Sequence, residues 1–450
     1  MRIAVSGGAG QLGSLVLRRL VADRRVREVV SLDLRPPIVP LGKLSFVRAD
    51  VREPAFARHI KGCDALAHLA FIVTRHAPRA VVDAVNVEGS KNVFRAAAAA
   101  GVSRIVHASS IAAYGILPGH PVPLVESAPR RRQADFAYAA TKFDVEAFLD
   151  DFEKTHPEIA IARMRPSMFV GARMEHPFGR MLRRRAIVDL GGGVPLPIVW
   201  DEDAADAFVL ALLQGARGAF NLSAEEHLVP AALARAGDLR LVRIPRALVL
   251  TLARASAALA RTGLIEGTDP AWIESAGVTL APSSARARAD LGWRPRCPTA
   301  ADVVRRFVEI VPERADPRIA LFLRLLAAGS RDAHGAAALR GFAADVHLCL
   351  TGRGGGDFAL RAKDGRVRVA RGAPRPPTAV VTMPATLLLD LLAGRGDFTT
   401  AEMTGRVVVE GEGLAGLFVA GIIGSYRAAT AARGGRGLVA RAAASWIARP

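Results

Sequence analysis

Cysteine is scarce. The 450 residues hold three, Cys63, Cys297 and Cys349. They stand far apart, lack metal-ligand spacing and offer no disulfide framework, so no metal is expected and a reducing compartment is. Long apolar runs are missing as well. No stretch of about 18 uncharged apolar residues occurs; the best approach, Ala247 to Ala260, carries Arg254. The first residues run straight into the strand-like Arg2-Ile3-Ala4-Val5-Ser6, leaving no room for a signal peptide, and the closing Ala448-Arg449-Pro450 is not a peroxisomal address. A cytoplasmic protein with at most peripheral membrane contact is expected. Aromatic residues are only 6% of the chain and do not interleave with a basic stripe. The net charge of +19 is carried almost wholly by arginines spread along the chain, and nucleic-acid binding is not expected from it.

What is present is enough apolar material, 51% of residues, for one large core and a smaller one, in two or three domains. The chain opens as strand, glycine turn, helix. Ile3-Ala4-Val5 leads into Gly7-Gly8-Ala9-Gly10-Gln11-Leu12-Gly13, and Leu15, Val16, Leu17, Leu20 and Val21 follow at helical spacing. Glycines there allow a tight turn and let main chain approach a pyrophosphate at the helix N-terminus. A second strand, Glu28 to Asp33, ends in an acid about 20 residues on, where a carboxylate accepts a ribose hydroxyl and repels a 2′-phosphate. That favours NAD; Arg35 close by keeps NADP open. A third strand, Leu44 to Val47, leads to Asp50-Val51, read as a wall for the adenine.

The run Asp64 to Ala70 reads as a fourth strand, with His68 as a packed residue. Asn86, in the next helix, is a candidate for a buried polar role. A fifth strand, Val102 to Ser110, delivers Ser109 and Ser110 to the carboxyl edge of the sheet, where open α/β folds bind ligands. Gly115 to Ala137 reads as a loop whose Arg130-Arg131-Arg132 is solvated. Tyr138 and Lys142 then lie four apart on a helix, so phenol and ammonium face the same way. A cation near a phenol lowers its pKa and makes it a usable general acid/base at neutral pH.

These residues together give the chain a resemblance to the extended short-chain dehydrogenase/reductase superfamily, specifically its NAD-dependent epimerase/dehydratase and 3β-hydroxysteroid dehydrogenase group. The ordered set is GGAGQLG, Asp33, Asp50-Val51, His68-Leu69-Ala70, NVEGSKNV at Asn86, HASSIAAYG through Ser110 and Tyr114, and YAATK at Tyr138. It continues with Arg165-Pro166-Ser167-Met168-Phe169-Val170-Gly171 and Asp290 to Pro295, covering roughly the first 310 residues. The resemblance implies a doubly wound parallel sheet at 1–311 with a substrate lobe at about 170–290. It implies that Ser110 polarises the reacting oxygen, that Tyr138 exchanges its proton, and that Lys142 lowers the Tyr138 pKa and holds the nicotinamide ribose. Around the dinucleotide it implies Gly7, Gly10, Gln11, Leu12 and Gly13, with Asp33, Asp50 and Val51. Leu69, Ala70, Asn86 and Pro166 complete that set. Tyr114 is then structural. Ser110-Ile111-Ala112 stands where nucleotide-sugar dehydratases carry Thr-Asp-Glu, which disfavours dehydratase chemistry.

Farther on, Ile159 to Met164 reads as a strand, Asp203 as an acid that caps and positions an Ala-rich helix, and Leu241 to Ile273 as an apolar helical stretch whose lining would suit a lipid and whose Arg243, Arg246, Arg254 and Arg261 could equally anchor a nucleotide sugar. Residues 312–334 read as linker and helix. A separate α+β module at 335–427 has strands at Asp345–Leu350, Asp357–Ala362, Arg366–Ala370, Thr378–Met383 and Gly405–Glu410. Leu348 to Gly352, Phe358 to Leu360, Asp364 to Val367, Leu392 to Asp397 and Gly405 to Gly411 resemble the sterol carrier protein type 2 family. That resemblance implies an apolar tunnel under a five-stranded sheet. The tail 428–450 is basic, and its end is expected to fray. The expectation is an NAD-dependent oxidoreductase of a sterol-like or other lipid, with room for a homodimer. A nucleotide-sugar epimerase or reductase and a non-catalytic dinucleotide-sensing lipid binder are the alternatives.

Overall fold

The computed structural model describes residues 1–37, 42–73, 78–172, 176–260, 270–311, 316–329, 343–352, 354–364, 366–372, 377–411 and 414–431. Residues 432–450 of the basic tail, 312–315 and 330–334 of the expected linker, and 335–342 of the expected module lie outside them. The chain divides into two compact units. The first comprises Met1–Pro37 and Gly42–Phe307, and the second takes over at Val308.

In the first unit, β1 (Arg2–Ser6), β2 (Glu28–Asp33), β3 (Leu44–Arg48), β4 (Ala65–His68), β5 (Arg104–Ala108) and β6 (Ala160–Pro166) alternate with helices. After β7 (Met168–Val170), β8 (Ala186–Asp189) and β9 (Ile198–Trp200) comes β10 (Gly218–Leu222). The main sheet runs β10-β6-β5-β4-β1-β2-β3, every pair parallel. The strand order reverses direction of growth between β1 and β4, and that is the switch point at which such sheets bind ligands. β1 and β4 are covered on both faces, so they read as nearly continuous apolar runs rather than as alternation, whereas β6 is equally buried but carries Arg163 and Arg165.

The stretch expected to be wholly substrate lobe is interrupted. β10 and the helix Asp201–Gln214 return to the main sheet. The lobe itself pairs β8 with β11 (Arg240–Arg243) and carries the helices Arg246–Ala260 and Pro270–Ser275. Leu241 to Arg243 is therefore strand, not helix. Val242 pairs with Val188 in a two-stranded ribbon, a long-range contact that no local period could reveal.

The second unit is a five-stranded sheet, β14-β13-β12-β15-β16, built of β12 (Ala344–Thr351), β13 (Gly356–Lys363), β14 (Arg366–Arg371), β15 (Ala379–Pro384) and β16 (Val408–Gly411). β12 pairs parallel with β15; the other pairs are antiparallel. Val346, Leu348 and Leu350 of β12 alternate into a core shared with Phe322, Leu388, Phe418 and Ile422 from the helices Pro317–Gly329, Ala385–Leu392 and Leu414–Ala431. The last strand is shorter than Gly405–Glu410. Gly405 instead closes a helix, at φ +71°, and frees Val408 to start the ladder. Among the described residues, no helix is long and apolar enough to cross a membrane.

Candidate active site

The glycine turn sits at the carboxyl end of β1. Gly7 has φ +79°, and a Cβ there would lie 2.5 Å from the Ala70 nitrogen and 2.8 Å from the Leu69 carbonyl carbon. A Cβ on Gly13 would lie 2.1 Å from the Gly7 oxygen. Both glycines are thus demanded by the fold. Gly10 differs: a Cβ would meet only the Gly7 oxygen, at 3.3 Å. Gly10 is the N-cap of the helix Gln11–Ala22 and makes no side-chain cap, so the first N–H groups of that helix face the turn. The Asp33 carboxylate accepts the Ala9 N–H at 3.0 Å and the Arg35 N–H at 3.2 Å. The residues fit a dinucleotide: an uncapped helix terminus for the pyrophosphate, glycine where main chain must approach it, and an acid at the end of β2 for the ribose.

The neighbouring positions divide. Leu69 donates its N–H to Ser6 and holds the end of β4 beside the turn. Asn86 is fully buried, in a π-helical turn (Ala84–Glu88), and clasps the main chain of Ile72 twice, at 2.7 and 2.9 Å. It shapes the loop carrying Leu69 and Ala70, and its amide is spent on that loop. Asp50 is engaged by Arg52, with Nη2 at 2.6 Å, and Val51 is a core residue packed beside Gly89. Gln11 reaches across to Asp201 at 3.0 Å. Leu12 follows it, partly buried, in the first turn of that helix. Pro166 ends β6, buried opposite Leu222.

Beyond β5, Ser110 caps a 3-10 turn by accepting the Ala112 N–H, and its hydroxyl is the neighbour that pulls the Tyr138 phenol down in pKa. Tyr138 and Lys142 lie on the helix Ala137–Thr155, whose buried face repeats through Ala139, Lys142, Val145, Glu146, Leu149 and Phe152. The Lys142 ammonium donates to the Ala108 carbonyl at 2.6 Å. It lies 3.3 Å from the centroid of the Phe71 ring and 5.8 Å from that of Tyr138. Burial pulls the Lys142 pKa down to about 7, with Glu146 opposing. Burial also raises the Tyr138 pKa, with the Ser110 hydroxyl opposing. The expected lowering of the phenol by its lysine is therefore not what this geometry produces: desolvation sets the direction, and the ammonium is occupied by a carbonyl and a ring face. Phe136 and Trp272 close the other side of Tyr138. The Trp272 ring centroid is 5.6 Å from Tyr138 and 4.8 Å from Phe136.

His68 is a structural residue, as the sequence suggested. Ser90 spends its one proton on the Asn86 carbonyl at 2.6 Å, so it must accept from His68 Nε2; Nδ1 then accepts from Ser6 at 2.7 Å. Burial, with the Lys142 charge adding, holds this imidazole neutral at a pKa of about 3. Tyr114 is likewise structural. It is fully buried and bonds Asn221 at 2.9 Å, and Arg165 donates to it at 2.7 Å.

The sequence reading missed Glu146. It is fully buried, takes both nitrogens of a fork from Arg165 at 2.8 and 2.5 Å, and accepts from Ser109 at 2.5 Å and Arg130 at 3.1 Å. Burial alone would raise its pKa; Arg165 outweighs that and lowers it. The signal was available: Tyr138, Lys142 and Glu146 are i, i+4 and i+8 on one face. The arginine run is not merely solvated, although Arg132 remains exposed. Arg130 pairs with Glu146 and Asp150, Arg131 donates to the carbonyls of Leu117 and Pro118, and Arg132 forks onto Asp144 at 2.7 and 2.8 Å. A triplet that reads as surface charge instead fastens the loop before Tyr138 to the helix after it. Asp203 is a positioning residue of another kind than a cap: it accepts the N–H groups of Arg296 and Cys297 at 3.0 and 2.9 Å.

Residues 3–223 match the family model for the NAD dependent epimerase/dehydratase family. This part of the chain belongs to that family. NAD is the family's cofactor, and the turn described above fits it. Residues 322–420 match the SCP-2 sterol transfer family, so the epimerase/dehydratase domain is joined to a lipid-binding module. An uncharacterized protein of Mycobacterium tuberculosis is 28% identical over 248 residues, 52% of this chain; the chain spans 65% of that relative's length. A 4-hydroxy-2-methyl-3-oxo-4-farnesyl-3,4-dihydroquinoline-1-oxide ketoreductase of Stigmatella aurantiaca is 31% identical over 175 residues, 38% of this chain and 51% of that one. Among solved structures, a short-chain dehydrogenase/reductase superfamily protein from Agrobacterium tumefaciens with bound NAD superposes with TM-score 0.53 at 24% identity. The match covers 68% of this chain and 96% of that one, and it is a likeness of fold.

Proposed function

We propose that the epimerase/dehydratase domain reversibly oxidises a hydroxyl on a lipid-like, sterol- or isoprenoid-bearing substrate, with Ser110, Tyr138 and Lys142 as its catalytic residues. The observation that carries the reading is that the Tyr138 phenol, on which the Ser110 hydroxyl acts, lies near the carboxyl end of β5 and is walled by the rings of Phe71, Phe136 and Trp272. NAD, when bound, supplies the hydride acceptor or donor. In the reducing direction, as the carbonyl carbon gains hydride, its oxygen gains the electron pair and takes the proton from Tyr138 Oη. The Ser110 hydroxyl then donates to whichever oxygen carries the charge. Lys142, on the same helix face, would hold the nicotinamide ribose and balance the phenolate. Gly7, Gly10 and Gly13 would hold the pyrophosphate, and Asp33 the adenine ribose.

Three features support an apolar substrate. The wall beside Tyr138 is aromatic. The lobe helix Arg246–Ala260 exposes Leu248, Leu252 and Leu259 at 52%, 61% and 49%, on one face by their spacing. The relative from Stigmatella aurantiaca is by its name a ketoreductase of a farnesyl-bearing ketone. The sterol-transfer module would then hold or present the lipid.

The test uses the full chain with NAD or its reduced form, offered a 3-hydroxysteroid, a farnesyl-bearing ketone or a UDP-sugar, while the reduced-nicotinamide absorbance is followed. Net change with the steroid or farnesyl ketone is expected. Sugar conversion without net cofactor change would replace this reading with epimerisation. Tyr138→Phe should keep NAD binding and lose turnover by about 10²–10⁴-fold; loss of both, or of neither, would mean that Tyr138 is not the proton donor.

A further inference from the structure

The second unit carries a cluster that the reaction above does not use. On β12, Val346, Leu348 and Leu350 point into the core, so His347 and Cys349 point to the opposite face of the sheet. In the antiparallel ladder Cys349 stands directly opposite Asp357 of β13. His347 and Cys349 are buried, and Asp357 is partly so. One ligand atom from each of the three lies within 4.8 Å of the others. Imidazole Nε2 and carboxylate Oδ1 are already 2.9 Å apart. Cys349 is not in a disulfide.

We propose that His347, Cys349 and Asp357 form a zinc-type transition-metal site on the face of the β12/β13 ladder turned away from the unit's apolar core. Thiolate, imidazole and carboxylate together select zinc and its neighbours over magnesium or calcium, which take oxygen. Ligand atoms around a tetrahedral zinc stand roughly 3.5 Å apart, given bonds of about 2.0–2.3 Å. Small rotations of three side chains on paired strands reach that from the spacing found. The scaffold suits the task, since two hydrogen-bonded strands hold the donors more rigidly than a loop would. Three protein ligands leave a fourth position for water or another small donor. Binding must displace the thiol proton, so metal affinity should rise with pH. Because the site lies on the face away from the core, its occupancy should stiffen the sheet without entering the apolar interior.

The full-length chain, stripped with a chelator, would be titrated with Zn²⁺ against a chromophoric chelator and, separately, with Co²⁺. One metal per chain is expected, with a near-ultraviolet thiolate-to-cobalt charge-transfer band. Cys349→Ser should abolish the band, and Cys349→Ser and His347→Gln should each weaken zinc at least tenfold. If Cys349→Ser fails to fold, His347→Gln and Asp357→Asn decide: weaker zinc in both sustains the site. Absence of stoichiometric binding, zinc affinity unchanged in His347→Gln, or a cobalt band that survives Cys349→Ser and so belongs to Cys63 or Cys297, overturns it. NAD binding and turnover are read in parallel and should not change, so failure of the metal site is separable from failure of the catalytic reading.

Discussion

Tyr138, Lys142 and His68 have their acidities set by burial more than by neighbours. For His68 the consequence is measurable. Its folded pKa is about 3, against an ordinary 6.5. Between those values the unfolded chain binds the extra proton, so folded stability falls as pH drops from 6.5 towards 3, by about 1.4 kcal/mol per pH unit for each such imidazole. His107, stacked on His68 at 5.5 Å and also pushed well down by burial, adds a second contribution. Urea midpoints of the first unit at pH 7 and pH 4.5 should show this loss. His68→Gln, which can still bridge Ser6 and Ser90, should remove part of the slope, the rest coming from His107 and from His120, His176 and His227, which burial also pushes down. An unchanged slope would mean that the acid sensitivity lies elsewhere. Lys142 titrates in the same sense but in a higher window: with its folded pKa at about 7 and an ordinary value of 10.5, it too favours folding more as pH rises through that interval.

At the scale of elements, the glycine turn separates two demands that a motif runs together. Gly7 and Gly13 are required because main chain from the Leu69–Ala70 segment and from Gly7 itself occupies the space of a Cβ. Gly10 is required only if something must approach it. Gly10→Ala should therefore fold with near-normal stability and lose NAD affinity at least tenfold, whereas Gly13→Ala should destabilise the first unit by several kcal/mol, of order 2–4 as for other forced overpacking. Thermal melts and a fluorescence titration with NAD distinguish the two. Equal loss of stability in both variants would remove the case for Gly10 as the approach point. The arginine triplet teaches a related lesson: its meaning depends on Asp144, Glu146 and Asp150, which sit on the next helix at a distance no charge count registers.

At the scale of the molecule, the question is what the proposed oxidoreductase would gain from a module of the sterol-transfer family. If the module holds substrate near the domain that transforms it, the gain is effective concentration rather than new chemistry. A chain ending after Val311 should then keep kcat within about twofold on a water-soluble alcohol. For a lipid delivered from vesicles, its KM should rise by about tenfold or more. Identical KM values for both substrates in the short and full chains would show that the module does not feed the reaction.

Local sequence determined a good deal of this protein. A strand, a turn of glycines and an amphipathic helix specify one another within some 20 residues. The acid closing β2, the serines closing β5 and the four-residue interval from Tyr138 to Lys142 are likewise short-range facts. The five strands of the second unit were readable as short segments between turns, although the last begins three residues later than expected. What needed the tertiary structure was everything that depends on which segments become neighbours. Glu146 became a hub because Arg165 arrives from β6 and Arg130 from a loop. The stretch at Leu241 became strand because β8 lay beside it. Three cysteines without ligand spacing concealed a metal-type cluster because its spacing exists across a ladder, between Cys349 and Asp357, and not along the chain. Periodicity records which face a residue takes; pairing decides what waits on that face.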